Sequence, residues 1–338
     1  MPEVSKSKAS IIILNHNGRH FLKSCLDSVF KQSYKNYEVI FVDNASSDGS
    51  VGFVRDRYGK MIMSKRLKMI LNYKNYGFSK GNNIGIKEAL RDKEVKYIVT
   101  LNNDTVVDKN FLLRLIDCAE RYKKAGSIMA KMVCGTNPRL IDSAGILYSK
   151  NILPFDRGRF EPVERYNKEE EIFGCCAGAC LYRREALKAV AVGGEFFDED
   201  FFCYCEDVDL AFRLRLAGFK SYFCPDAIVY HYGSGTWGKF SNLIIYHYLR
   251  NSSWVMFKNL PRNFILKNLH LIIISEIGKV MSNLILRKRK IAINAKIDAY
   301  KNLYKMLKKR RRIKNVVNFK EIEKFFIMKW SSKKNEKE

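Results

Sequence analysis

The first hundred residues alternate short apolar runs with amphipathic stretches, and this alternation leaves few folds open to the chain. Runs rich in β-branched residues over 10–14, 38–42, 67–71 and 97–101 predict strands, and 3.6-residue patterns over 20–32, 48–58 and 79–91 predict helices between them. Such alternation favours an α/β fold with a mostly parallel central sheet, because each helix must carry the chain back to the same end of the sheet by a right-handed crossover. Ligands then bind beyond the carboxyl ends of the strands. Those ends are polar here: Asp43 and Asn44 follow the second strand, Asn72 and Asn75 the third, and Asn102, Asn103 and Asp104 the fourth.

With 338 residues, of which 47% are hydrophobic, the chain can bury a full core, which excludes a disordered protein. The net charge of +26 calls for a polyanionic neighbour: anionic lipid, nucleic acid or a phosphorylated substrate. Nine cysteines make neither a CxxC pair nor the framework of a small secreted domain, so buried free thiols in a reducing cytosol are expected, with a zinc site as the alternative. No leader precedes the first apolar strand, so the protein is expected to stay in the cytoplasm. Residues 264–286 form the most hydrophobic later segment, but Lys267, Glu276 and Lys279 interrupt it, and it reads as an amphipathic or core helix. Residues 151–171 read as a long charged loop. Beyond Leu260 the composition turns to Lys- and Arg-rich helix, with basic runs at 287–290 and 308–312, so a boundary is placed near Pro261.

Chemistry concentrates between 174 and 231. Glu206, Asp207 and Asp209 open a predicted helix, and a strand then leads to the lone His231. Acids at strand ends, a carboxylate on a helix tip and an imidazole are the parts of a metal-dependent transfer site. Each also has a plainer reading. Acids in a first helical turn are favoured by the macrodipole, with Leu210, Leu214 and Ala217 supplying a buried face. Asp43 fits a turn, Asp48 a helix cap, Asp104 the cap of a helix near Lys109, and a lone histidine is usually structural.

The segments VDNASSDGS (42–50), NYGFSKGNNIGI (75–86), LNNDT (101–105), GACLYRREAL (178–187) and FFCYCEDVDLAFRLRLAGFK (201–220) resemble, in order and spacing, the family 2 glycosyltransferases of GT-A fold, in particular the rhamnosyltransferase-like branch. The resemblance spans about residues 9–255. It implies a Rossmann-like sheet in residues 1–260, with a nucleotide-binding half (9–104) and an acceptor half (105–260), followed by a basic helical C-terminal region (261–338). It matches Asp43 to the acid that binds the nucleobase, and Asn102, Asn103 and Asp104 to the DxD signature, with Asn in place of the first acid. Asp104 and His231 are then expected to hold Mg²⁺ or Mn²⁺, Asp207 to act as general base with Glu206 beside it, and Asn75, Gly81, Asn83 and Asn103 to border the nucleotide. The N–H groups at the 75–85 helix entry would face the diphosphate.

The activity implied is inverting transfer of a sugar from a nucleoside diphosphate, dTDP-L-rhamnose before a UDP-hexose, to a hydroxyl of a surface-glycan or lipid-linked acceptor. Arg159, Trp237 and the 151–171 loop are candidates for touching that acceptor. The basic tail is expected to meet an anionic membrane surface on its inner face rather than a specific nucleic acid. The competing readings are a catalytically inactive membrane- or RNA-binding relative and a sugar nucleotidyltransferase. The chain carries Asn15, His16, Asn17 and Gly18 where a nucleotidyltransferase has a glycine-arginine-rich loop.

Overall fold

A computed structural model describes residues 7–233, 242–286 and 290–328. Its first part is the expected alternation: β1 (Lys8–Asn15), α1 (Arg19–Phe30), β2 (Tyr37–Asn44), α2 (Ser50–Met63), β3 (Leu67–Asn72), α3 (Gly77–Ala89) and β4 (Val95–Asn102). β1 pairs in parallel with both β2 and β4, and β2 with β3. The chain therefore crosses back over β1 between β3 and β4, and connections diverge on either side of the β1–β4 seam. That switch of direction opens a crevice at the carboxyl ends of β1 and β4. Every residue of β2 is buried, because helices cover both faces of the sheet. α3 lies close on β1 because it presents glycine there: a Cβ on Gly85 would meet Ile12 at 2.6 Å, and one on Gly81 would meet Leu14 at 2.5 Å.

The part that follows comprises β5 (Thr105–Val107), α4 (Phe111–Arg121), β6 (Ala125–Cys134), β7 (Ile141–Ser143), β8 (Ile146–Ser149), β9 (Pro154–Asp156), β10 (Glu170–Ile172), β11 (Ala179–Arg183), α5 (Arg184–Val190), α6 (Glu206–Leu216) and β12 (Lys220–His231). β11 runs antiparallel between β4 and β6, β12 runs parallel to β6, and β5 and β7 pair with β12 and β6. The sheet is thus mixed. The stretch expected as a long loop over 151–171 contains β9 and reaches β10. Its backbone is engaged there: Arg157 N donates to Gly145 O and Ala144 N to Arg157 O, both at 2.8 Å. All nine cysteines are free, and six are buried.

The C-terminal part adds α7 (Asn242–Asn259), α8 (Arg262–Lys267), α9 (Leu269–Met281), α10 (Ile291–Lys301), α11 (Leu303–Arg310), α12 (Phe319–Glu323) and β13 (Phe326–Ile327). It shares a second core with the middle part of the chain, in which Tyr148, Phe173 and Phe212 pack against Trp254, Phe264, Met306 and Phe326. β13 extends the small β8–β9 sheet in parallel. The single helix expected over 264–286 is interrupted at Asn268, whose side chain donates to Phe264 O at 2.9 Å. Among the described residues no helix is long and apolar enough to cross a membrane. Trp237 and residues 287–289 of the first basic run lie outside the described residues.

Candidate active site

The carboxyl ends of β1, β2 and β4 are joined by side chains. Asn103 donates to Asn15 Oδ1 at 2.7 Å, and Asn15 donates in turn to Asp43 Oδ1 at 2.9 Å. Asp43 also accepts from Ser46 N at 2.8 Å and Ser46 Oγ at 2.7 Å, which leaves it 1% exposed. The parallel register sets Asn15 beside Asp43, so this network follows from strand pairing. Asp48, expected as the cap of α2, lies one residue before the cap position, which Gly49 holds, and closes the turn ahead of the helix by accepting from Ser50 N at 3.0 Å.

The entry to α3 differs from expectation. Gly77 adopts a left-handed φ of +74°, so the helix begins there and Gly81 and Asn83 fall in its interior, where their N–H groups are committed to the helix. Gly81 provides the close approach to β1. Asn83 is fully buried and clamps Phe197, accepting from its N at 2.9 Å and donating to its O at 2.7 Å. Asn75 Oδ1 accepts from Gly77 N at 2.8 Å and so fixes the turn. One of the freed donors, Ser79 N, reaches Phe202 O at 3.0 Å.

Asp104 and His231 are brought together by β5, which pairs antiparallel with the end of β12 and sets His231 opposite Thr105. His231 Nε2 lies 3.1 Å from Asp104 Oδ1 and 3.3 Å from Asn102 Nδ2. Its Nδ1 lies 2.8 Å from Asp142 Oδ2, on β7. Burial opposes charge on this ring, but the two carboxylates prevail and raise its pKa to about 10. Without a metal the ring therefore keeps its proton between the two carboxylates; a divalent cation would displace that proton and take Asp104 and the neutral imidazole as donors, with Asp142 orienting the other nitrogen. Asp142 had no motif to announce it, since β7 reaches His231 only through its pairing with β6. Arg159 bridges this group to a further acid: its guanidinium is 2.8 Å from Asp156 and 3.9 Å from Asp142.

α6 carries the acidic pair, and the chain reaches it through a strained approach. Phe202, Tyr204 and Cys205 all have φ near +65°, at 65°, 67° and 66°, a region non-glycine residues seldom occupy. Tertiary contacts impose it. Asn251 on α7 donates to the carbonyls of Phe201, Cys203 and Tyr204 at 3.0, 2.8 and 2.7 Å, and Arg250 to those of Asp200 and Phe201, both at 3.1 Å. Ala177 N then donates to Asp207 Oδ2 at 3.2 Å. Desolvation raises the Asp207 pKa to about 6, with Asp156 adding like charge. Burial drives Glu206 well above the carboxylate range, with Asp207 reinforcing it, and Glu206 Oε2 has no hydrogen-bond partner among the described residues. The two acids are thereby split into a neutral carboxylic acid and a group poised near neutrality. Asp209 belongs elsewhere: it is buried against Arg213 at 2.8 Å, Lys258 at 2.9 Å and Asn259 at 2.9 Å.

Comparison with known proteins adds three findings. The model of glycosyl transferase family 2 matches residues 10–191, which contain Asp43, Asn103 and Asp104 but stop short of Asp207 and His231. Rhamnosyltransferase WbbL of Escherichia coli strain K12 is 26% identical over 267 residues, 76% of this chain and 94% of the relative. The N-acetylglucosaminyl-diphospho-decaprenol L-rhamnosyltransferase of Mycobacterium tuberculosis is 25% identical over 255 residues, 68% of this chain and 77% of its own. Among solved structures, a mannosyltransferase of Pyrobaculum calidifontis in complex with GDP-Man and Mn²⁺ aligns with TM-score 0.55 at 14% identity, over 91% of this chain and 85% of that one. TarS 1-349 of S. aureus in complex with UDP aligns with TM-score 0.57 at 17% identity, over 89% of this chain and 81% of that one. These likenesses identify the fold as GT-A.

Proposed function

The chain belongs to glycosyl transferase family 2, and on that footing we propose that it transfers a sugar from a nucleoside diphosphate to a hydroxyl with inversion at the anomeric carbon. The rhamnosyltransferase relatives favour dTDP-L-rhamnose as donor, ahead of a UDP-hexose, and a lipid-linked or surface-glycan acceptor. The observation that carries the reading is the placement of Asp207 at the tip of α6, where it accepts from Ala177 N at 3.2 Å, while Ala177 O accepts from Thr100 Oγ1 of β4 at 2.7 Å.

Asp207 takes the proton of the acceptor hydroxyl as that oxygen bonds to the anomeric carbon. The bond from this carbon to the diphosphate oxygen breaks on the opposite face, and the diphosphate leaves with the electron pair. The Ala177 N–H holds the carboxylate in place, and Glu206, uncharged, spares Asp207 a second negative neighbour. Asp104 and His231 would hold Mg²⁺ or Mn²⁺, which offsets charge on the departing diphosphate. Asp142 keeps the imidazole turned toward that position. Asp43 uses three of its roughly four acceptor positions within the rim and keeps one for the imide N–H of thymine or uracil, while Asn103 steadies it through Asn15. Arg159, over Asp142 and Asp156, is placed to meet acceptor or phosphate. A lipid-linked acceptor would bring the enzyme to a membrane, where its basic C-terminal region meets anionic headgroups.

The test is a screen of nucleotide sugars against the purified chain, reading free sugar and nucleoside diphosphate. Turnover of dTDP-L-rhamnose that Asp207→Asn abolishes supports the reading. Release of pyrophosphate, or no turnover of any donor, overturns it.

A further inference from the structure

Helix α9 is built inside out. Its charged residues point inward: Glu276 pairs with Lys279 at 2.6 Å and with Lys296 of α10, and accepts from Ser253 of α7 at 3.3 Å, so that Glu276 and Lys279 are only 13% and 11% exposed. Ile272 enters the second core, but five of its large apolar residues point outward: Leu269, Ile273, Ile274, Ile277 and Met281 are between 42% and 57% exposed. A helix facing water has the opposite pattern, because apolar side chains gain by burial and paired charges gain little from it. α10, which packs beside α9, adds Ile293 and Ile297, both more than two-fifths exposed at 41% and 45%. Exposed cations, Arg262, Lys267 and Lys290, lie on the segments that flank α9 in the chain.

We propose that this face of α9 seats in the headgroup region of an anionic bilayer, with its isoleucines among the upper acyl chains and the cations on lipid phosphates. The charge pattern selects this occupant over a second copy of the chain. A two-fold contact would set the same flanking cations against their copies in a protein of net charge +26, whereas an anionic surface complements them. The inference deepens the proposed transfer to a lipid-linked acceptor and rests on that reading for its purpose. It also gives the reaction a geometry. α7 receives α9 through Ser253 and, one turn away, holds the approach to Asp207 through Arg250 and Asn251, so a bilayer-seated α9 fixes the height of the base above the membrane.

The experiment is co-sedimentation of the full chain with vesicles of phosphatidylcholine alone or mixed with phosphatidylglycerol, alongside a variant carrying Ile273→Glu and Ile277→Glu. Both positions are exposed, so the fold should survive, which an unchanged melting temperature checks. The expected result is binding to the anionic vesicles only, weakened about tenfold or more in the variant, with donor turnover in free solution equal in both. Equal sedimentation of the two proteins overturns the proposal, as does recovery of the unmodified chain in the supernatant. So does a lipid-indifferent dimer that the glutamates dissociate, which would assign the face to self-association. Because donor turnover is read separately, loss of vesicle binding leaves the transfer reading standing, and an inactive chain that still binds vesicles leaves the membrane face standing.

Discussion

Asp207 loses its water where α6 meets Ala177, and the resulting rise in pKa to about 6 ties activity and stability to the same proton. A base must be ionised to act, so turnover should fall roughly tenfold for each pH unit below about 6, as a pH–rate profile would record. Stability runs the other way. A carboxyl whose pKa is raised on folding costs nothing below its unfolded pKa of 3.8, and the full penalty is present above about 6. Asp207→Asn should therefore lower kcat by roughly 10²–10⁴ with little change in donor affinity, and at pH 8 raise stability by on the order of 1–3 kcal/mol in thermal unfolding. At the other carboxylates, Asp104→Ala should weaken donor binding and turnover together, and EDTA should reproduce the effect in the unmodified chain. Asp142→Asn leaves both ligands in place but loosens the ring, so it should demand about 10–100-fold more Mn²⁺ for the same rate, and saturating metal should restore most of it.

At the scale of the element, the approach from Phe202 to Cys205 holds three positive φ angles with no glycine to relieve them. Asn251 reaches the carbonyls of Phe201, Cys203 and Tyr204, and Asn251→Ala would remove this partner from Cys203 and Tyr204 while Phe201 O keeps Arg250. The expected outcome is a loss of roughly 2–4 kcal/mol in denaturant unfolding and a larger fall in kcat than in donor affinity, which is also weakened because Phe202 O meets Ser79 N at the entry to α3. Here lies the limit of what the chain announces about itself. The four expected strands are all present, because β-branched runs and the turn residues that end them act locally. Asp104, Asp207 and His231 stood out because acids and a lone imidazole are unusual at the ends of apolar strands and helices. Phe, Tyr and Cys carry no local reason for a left-handed backbone, and neither Asn251 nor Asp142 has a signature, since tertiary pairing alone brings them to the site. The interior placement of Gly81 and Asn83 was missed for a subtler reason: Gly77 starts α3 earlier than the asparagine-rich stretch suggests.

The molecule as a whole is less divisible than its composition implies. The basic region beyond Pro261 contributes Phe264, Met306 and Phe326 to the core that also buries Phe201 and Phe212. Lys309 of α11 joins Lys258 on Asp198, so the tail is also pinned by buried charge. A chain ending at Leu260 should therefore aggregate or melt well below the full-length protein, as light scattering and calorimetry would show, rather than persist as an active domain. The pairing of β13 with β8 carries this dependence into the order of synthesis. The parallel strands from β1 to β4 are all made within the first 102 residues and can associate early on the ribosome. The helix that bears Asp207 stays partly uncovered until Phe326 has emerged to lie against Tyr148. A nascent chain thus completes its parallel half long before the helix that bears Asp207 is fully packed.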